Sequence, residues 1–138
     1  MEERGYESGG DVAFTLREEM GGCMPIDIWY DGDVFVFHPF GRVDAGYSVD
    51  LDENLTEGIG QGMRKIVLDL GDIPYISSSG LRALIKAAKS LKVLGGKMVF
   101  CNICPQVRDV LSMSGLLRIF SEYSTSTEAI AAFEQSKF

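Results

Sequence analysis

The feature that most limits the fold of this chain is a regular alternation of strand-like and helix-like segments after an opening hairpin. Residues 26–30 and 34–40 are rich in β-branched and aromatic residues, and Asp31-Gly32-Asp33 between them is typical of a hairpin turn. The later segments are predicted as helices at 45–59, 79–94, 105–114 and 127–133 and as strands at 65–70, 97–101 and 117–123. Strands joined through helices run parallel. The sequence therefore predicts an α/β fold with one mixed, mostly parallel sheet of about five strands and about four helices.

The length and the apolar content indicate one domain. The 138 residues are 46% apolar and 24% charged, which is enough for a hydrophobic core. Residues 1–24 are acidic and are predicted to form an extension, with the domain itself at 25–138. The N-terminus lacks the basic and apolar regions of a secretory signal, and no stretch has the roughly 20 apolar residues that a membrane-spanning helix needs. We therefore expect a cytoplasmic protein that does not enter a membrane.

Charge is distributed unevenly along the chain. The net charge is −7, yet residues 73–108 contain no acid and six bases: Arg82, Lys86, Lys89, Lys92, Lys97 and Arg108. The overall acidity argues against nucleic-acid binding, which depends on the neutralisation of phosphates. A basic face on an acidic protein can instead steer a protein partner. Arg82, Lys86 and Lys89 share one side of the predicted helix at 79–94, and we expect this basic stripe to contribute to docking.

Three consecutive serines, Ser77, Ser78 and Ser79, precede Gly80 at the start of the most strongly amphipathic helix. Backbone N–H groups in the first turn of a helix are unpaired and the macrodipole is positive there, so a phosphate on a serine at this point gains hydrogen-bond donors. Arg82 lies within reach as a further stabilising group. No neighbouring histidine or lysine could act as a base, so a separate kinase would have to modify the serine. The alternative is that the serines only cap the helix.

Five short motifs occur in order along residues 25–133. They are Gly41-Arg42-Val43-Asp44, Val67-Leu68-Asp69-Leu70, the run from Tyr75 to Arg82, Gly95-Gly96-Lys97, and the run from Val107 to Leu116 followed by Ile119-Phe120. Together they resemble the motifs of STAS domains, the family named after sulfate transporters and anti-sigma factor antagonists. The resemblance implies the STAS fold and a protein that is not an enzyme but works by reversible protein binding.

In stand-alone STAS proteins of the anti-sigma factor antagonist type, the serine before the glycine is phosphorylated by a serine kinase that is also an anti-sigma factor. The resemblance therefore implies phosphorylation of Ser79, with Ser78 as the second choice. Unphosphorylated protein would bind the kinase and free the sigma factor, and a phosphatase would reset the switch. The implied partner-binding residues are Ser77, Ser78, Ser79, Gly80, Arg82 and Lys86. The chain departs from the motif at Ser77, where the family often has aspartate, and this change removes a local negative charge.

The sequence leaves two other functions open. The same fold could serve as a scaffold or a sensor-complex component with other protein partners. A redox enzyme is the second alternative, because Cys101 and Cys104 form a C-x-x-C motif between a strand and a helix. Against it, the motif of thioredoxin comes earlier in its domain. Partner capture with and without ATP separates these classes.

The remaining polar motifs are predicted to be structural. His38 is expected to be half-buried on the side of its strand that also carries Val34 and Val36. Asp69 and Asp72 are expected to be ordinary loop residues, with Asp69 in a position to support the serine loop. The glycines at 58, 60 and 62 are predicted to end the helix at 45–59 and to continue as a flexible loop. We expect no cofactor and no metal, since the chain has one histidine and three cysteines, of which only Cys101 and Cys104 are close neighbours in the sequence. A monomer or a weak dimer is expected.

Overall fold

The structure is a computed structural model that describes residues 26–136. A five-stranded mixed sheet forms its centre. Its strands are β1 (Ile26–Asp31), β2 (Val34–Pro39), β3 (Lys65–Asp69), β4 (Lys97–Cys101) and β5 (Glu122–Tyr123). They lie side by side in the order β1-β2-β3-β4-β5. The β1–β2 hairpin is antiparallel, and all later neighbours are parallel. The prediction of a mixed, mostly parallel sheet is confirmed. The predicted acidic extension at 1–24 lies outside the described residues.

Five helices cover the two faces of the sheet. They are α1 (Ala45–Gly60), α2 (Ser78–Val93), α3 (Pro105–Met113), α4 (Leu116–Ile119) and α5 (Ser126–Ser136). The larger core lies between the sheet and α1 to α4, and a smaller core lies between the opposite face and α5. Because β-strand side chains alternate, Phe37 of β2 enters the larger core while Val36 packs beneath α5. Within residues 26–136, no helix has the length and apolar content to cross a membrane.

The predicted strand at 117–123 is wrong over most of its length. The structure has the short helix α4 there, and β5 contains two residues. Gly115, with φ 83°, turns the chain into α4, so that Leu116 and Phe120 both enter the larger core. Their spacing of four is a helical period, which a short apolar run does not reveal by itself. Two apolar residues, Val49 of α1 and Leu94 after α2, lie outside the core and are 56% and 49% exposed.

The sequence predicted that Gly58 would end the helix at 45–59, and this prediction is wrong. Gly58 lies inside α1. A Cβ at this position would be 2.7 Å from Sδ of Met63 and 3.2 Å from the Phe37 ring. The glycine therefore allows α1 to pack closely on β2. The helix ends at Gly60 instead, and Gly62 has the positive φ of 110° that turns the chain towards β3.

The connection from α2 to β4 depends on Gly95 and Gly96. Gly95 has φ 84°, and the N–H of Gly96 donates to the carbonyl of Leu91 at 2.7 Å, which closes the end of the helix. The next residue, Lys97, donates its N–H to the carbonyl of Arg64 at 2.8 Å. A Cβ on Gly96 would lie 2.4 Å from that same carbonyl oxygen. Only glycine therefore allows β4 to start so close to the residue that precedes β3.

We expect Gly96→Ala to lower the free energy of unfolding by about 2 kcal/mol, because the clash is with backbone that cannot rotate away. The matched control is Gly60→Ala, where nothing lies within 4 Å of the added Cβ. Since alanine is the better helix former, this control should be neutral or stabilising by up to about 1 kcal/mol. Urea unfolding monitored by circular dichroism measures both. Equal stability of the two variants would contradict the packing argument.

Candidate functional site

Two loops at the carboxyl ends of β2 and β3 are joined by three backbone hydrogen bonds, an arrangement that we call the loop bridge. The N–H of Gly41 donates to the carbonyl of Asp72 at 3.1 Å, and the N–H of Val43 donates to that of Tyr75 at 2.9 Å. The N–H of Ser77 donates back to the carbonyl of Val43 at 2.8 Å. The loop bridge therefore places the serine cluster at the sheet edge where α/β proteins bind their ligands and partners.

Ser77 is the N-cap of α2. Its backbone is extended, with φ −83° and ψ 170°, and its Oγ accepts a hydrogen bond from the N–H of Gly80 at 3.2 Å. The helix consequently begins at Ser78, one residue earlier than predicted, and Ser79 is its second residue. The sequence left open whether the three serines only cap the helix. In the structure Ser77 has this capping role.

Ser78 and Ser79 are left without a structural hydrogen-bonding role. Within residues 26–136, neither their side chains nor their backbone N–H groups donate to another residue. Ser78 is exposed and Ser79 is half-buried, so both hydroxyl groups lie outside the core. The unpaired N–H groups and the positive end of the helix macrodipole create a region that favours an anionic group.

The glycine after the serines is needed for packing. A Cβ on Gly80 would be 2.8 Å from Cγ1 of Val43 and 2.8 Å from Cγ1 of Ile76. These two residues also form an isolated parallel β-bridge. The first turn of α2 can therefore rest directly on the loop bridge only because position 80 has no side chain. Gly80, which was predicted to be a partner-binding residue, is buried beneath the surface that Ser78 presents.

Arg42 and Tyr75 form an exposed pair beside the serine cluster. The guanidinium carbon of Arg42 lies 4.3 Å from the centroid of the Tyr75 ring, within the range of a cation–π interaction. Both side chains are exposed. In the sequence, Arg42 and Tyr75 belong to two separate motifs, and nothing there indicates that they form a pair. The loop bridge brings them together.

The predicted basic stripe on α2 is interrupted by an ion pair. Nζ of Lys86 lies 3.1 Å from Oδ2 of Asp52 on α1. Arg82 and Lys89 are exposed and have no carboxylate partner in the described part of the chain. The Lys86 side chain remains 60% exposed but its charge is partly compensated. Arg82 and Lys89 are therefore the uncompensated positive charges on this side of the helix.

His38 and Asp72 do more than the sequence predicted, and Asp69 has the supporting role that was expected of it. His38 is buried, and its Nε2 lies 2.9 Å from Oδ2 of Asp72 in the loop bridge. Asp69 is also buried, and its Oδ1 accepts from the N–H of Gly71 at 3.0 Å and from the amide of Asn102 at 3.2 Å. Asp69 therefore supports the loop between β3 and α2, as expected, whereas Asp72 is not an ordinary loop residue because its contact with His38 also holds this loop.

The two cysteines of the C-x-x-C motif are not joined by a disulfide and lie in different environments. Cys101 is buried, and desolvation, reinforced by the nearby Asp69 carboxylate, raises the pKa of its thiol well above the usual range. Cys104 is half-buried, and its thiol donates to the carbonyl of Ile73 at 3.2 Å. A redox dithiol requires a stabilised thiolate, so the environment of Cys101 disfavours that chemistry. Among residues 26–136, no three histidine, cysteine or carboxylate side chains are grouped to hold a metal ion.

The family model of the STAS domain matches residues 26–129, the whole sheet and most of the helices described above. The chain belongs to the STAS domain family. This confirms the resemblance that the motifs around Ser79 predicted. The match begins at the first residue of β1 and ends within α5.

Individual STAS proteins are similar to this chain in sequence and in structure. BtrV of Bordetella bronchiseptica, whose name assigns it provisionally to the anti-sigma factor antagonists, is 39% identical over 94 residues, which are 68% of this chain and 81% of that protein. The anti-sigma F factor antagonist of Paenibacillus polymyxa is 35% identical over 112 residues, 80% of this chain and 96% of that protein. The structure of unphosphorylated SpoIIAA, an anti-sigma factor antagonist, has a TM-score of 0.71 at 22% identity and covers 80% of this chain and 96% of SpoIIAA. At that identity the structural similarity establishes the fold.

The N-cap assignment predicts different effects of substitution along the serine cluster. Ser77→Ala should destabilise the protein by about 1 kcal/mol, because the N–H of Gly80 loses its acceptor. Ser77→Asp should retain full stability, since a carboxylate caps the helix and interacts favourably with the macrodipole. Ser78→Ala is the control and should change stability by less than about 0.5 kcal/mol. Chemical denaturation of the three variants measures the differences, and a Ser77→Ala variant as stable as the control would contradict the assignment.

The burial of Cys101 predicts a difference in thiol reactivity. With iodoacetamide at pH 8, Cys104 should be alkylated in the native protein, whereas Cys101 should react only after denaturation, because its thiol is both inaccessible and held protonated. Peptide mass spectrometry identifies the modified positions. A disulfide between the two cysteines after mild oxidation would contradict this expectation and would restore the redox hypothesis.

Proposed function

We propose that this STAS-family protein is an anti-sigma factor antagonist that regulates transcription by partner switching. In this proposal it binds an anti-sigma factor that is also a serine kinase, and phosphorylation of Ser79 ends the binding. A phosphatase restores the free serine, and the switch operates in the cytoplasm without catalysis by the protein itself. The observation that carries the proposal is the division of roles in the serine cluster, in which Ser77 caps α2 and the Ser79 hydroxyl remains free.

The names of the relatives support the choice of partner class. Two of the proteins with at least 35% identity are named as antagonists of anti-sigma factors. SpoIIAA of Bacillus, a protein with the same fold, has also been solved in a phosphorylated form, with a TM-score of 0.64 to this chain. Phosphorylation of a protein with that fold is therefore compatible with a folded domain.

The direction of the switch follows from electrostatics. A phosphate adds about −1.5 to −2 charges at neutral pH. On Ser79 it would be close to the unpaired N–H groups of the first helical turn, which stabilise it in the free protein. A partner that covers this surface must remove water from the phosphate without offering better donors, and this desolvation disfavours the complex. Phosphorylation should therefore release the partner.

The proposed contact surface is centred on the exposed side of the loop bridge and the first two turns of α2. Ser78 and Ser79 lie at its centre, and Arg82 with Lys86 extends it along the helix. Ser77 and Gly80 contribute by setting the position of the first turn. The Arg42–Tyr75 pair adds a flat, positively charged element at its border. Such a surface fits a partner with exposed carboxylates.

The decisive experiment compares variants of Ser79 in binding to a candidate anti-sigma kinase. Ser79→Ala should bind like the unmodified protein, and both Ser79→Asp and Ser79→Glu should bind at least about tenfold more weakly, which corresponds to roughly 1.4 kcal/mol. Ser112→Asp is the control, because it places the same charge on an exposed serine of α3 outside the proposed contact surface, and this variant should bind like the unmodified protein. Isothermal titration calorimetry gives the affinities.

Incubation of the protein with the kinase and ATP, followed by mapping of the modified residue, completes the test. Modification of Ser79 and loss of binding support the proposal. Equal affinity of all Ser79 variants would remove this residue from the switch, and a phosphate on Ser78 would move the switch by one position. Partner capture that is indifferent to ATP would favour the scaffold function.

A further inference from the structure

A cavity of about 350 Å³ lies at the end of α2 that is remote from Ser79. Its apolar wall consists of Ala88 on α2, Met98 on β4 and Phe120 after α4. Lys92 and Lys97 also line it, and the Gly95-Gly96 turn forms the remainder. The volume falls within the range of sites that bind small molecules, and the composition, an apolar wall with a few polar groups, is typical of such sites.

The apolar wall is held in place by the core. Phe120 packs against Phe100 with ring centroids 4.7 Å apart, and Met98 is buried. The turn is fixed by two hydrogen bonds, from the N–H of Gly96 to the carbonyl of Leu91 and from the N–H of Lys97 to the carbonyl of Arg64. Because Gly95 and Gly96 carry no side chains, the turn does not fill the space in front of Phe120. The cavity is therefore preformed and needs no rearrangement to admit a ligand.

The positive charges at the cavity are not compensated. Lys92 and Lys97 are exposed, and neither forms an ion pair with a residue between 26 and 136. By contrast, two other bases of the acid-free segment, Lys86 and Arg108, have carboxylate partners on neighbouring elements.

The end of α2 would by itself repel an anion, because helical carbonyl groups are exposed at a C-terminus. Here the carbonyls of Ser90, Leu91 and Lys92 accept hydrogen bonds from the N–H groups of the following turn. These bonds reduce the negative potential at the helix end, and the two ammonium groups then dominate the field at the cavity.

We propose that this cavity binds a small amphipathic anion, an acyl or aryl carboxylate. The hydrocarbon part lies against Met98 and Phe120, and the carboxylate is held by the ammonium groups of Lys92 and Lys97. We infer the hydrocarbon part of the ligand from the apolar wall. We infer its negative charge from the two lysines that have no ion-pair partner among residues 26–136. This site is independent of the proposed phosphorylation switch, since it uses none of the same residues.

The test is a titration of the full chain with octanoate, followed by two-dimensional ¹H–¹⁵N NMR. Saturable shifts are expected at the amides of Gly95, Gly96 and Met98, with affinity on the order of millimolar for a ligand of this size. The neutral analogue 1-octanol should cause shifts at the same amides with at least about fivefold weaker affinity, a difference of roughly 1 kcal/mol.

Three variants separate the apolar and the charged contributions. The double variant Lys92→Gln with Lys97→Gln should weaken octanoate binding at least about fivefold and leave 1-octanol binding unchanged. Lys89→Gln, which removes a neighbouring charge outside the cavity, is the matched control and should bind octanoate normally. Ala88→Leu should fill the cavity and abolish the binding of both ligands in a protein whose other amide signals are preserved.

The proposal is overturned if octanoate causes no saturable shifts, or if the shifts lie outside the cavity. It is also overturned if the double lysine variant binds octanoate as tightly as the Lys89→Gln control. None of these results affects the Ser79 experiment, which measures binding at the other end of the helix.

Discussion

The loop bridge is the interaction on which the candidate site depends. Val43 uses both its N–H and its carbonyl to join the loop after β3, and its side chain supports the first turn of α2 at Gly80. This arrangement holds Ser77 in the extended conformation that an N-cap requires. The His38–Asp72 contact fixes the same loop from the side of the sheet. The position of Ser79 is therefore a consequence of long-range contacts made by its neighbours.

STAS proteins often have aspartate where this chain has Ser77. This difference changes the charge at the N-cap of α2. A serine hydroxyl caps the N–H of Gly80 as an aspartate would, but it adds no negative charge. The positive potential at the first turn of α2 is therefore not reduced by the cap. An anionic group on Ser79 would experience less repulsion here than beside an aspartate. The substitution preserves the fold and favours the charged state of the proposed switch.

Helix α2 connects the two proposed sites, and a glycine lies near each of its ends. At the N-terminal end, Gly80 lets the helix rest on the loop bridge, and at the C-terminal end Gly96 lets the chain enter β4 beside Arg64. Between them the helix packs against α1 and is linked to it by the Lys86–Asp52 ion pair. The N-terminal end therefore packs on the side chains of Val43 and Ile76 and the C-terminal end on the backbone of Arg64, and these contacts fix the surfaces at Ser79 and at the cavity.

The amino-acid sequence alone determined the alternation of elements, the mostly parallel sheet and the STAS resemblance, because periodicity, turn residues and short motifs are local properties. It could not show that residues 116–119 are helical, since a four-residue run has no periodicity to read. It also could not pair Arg42 with Tyr75, His38 with Asp72, or Lys86 with Asp52. Each of these pairs joins residues more than 30 positions apart, and only the packing of loops and helices on the sheet brings them into contact.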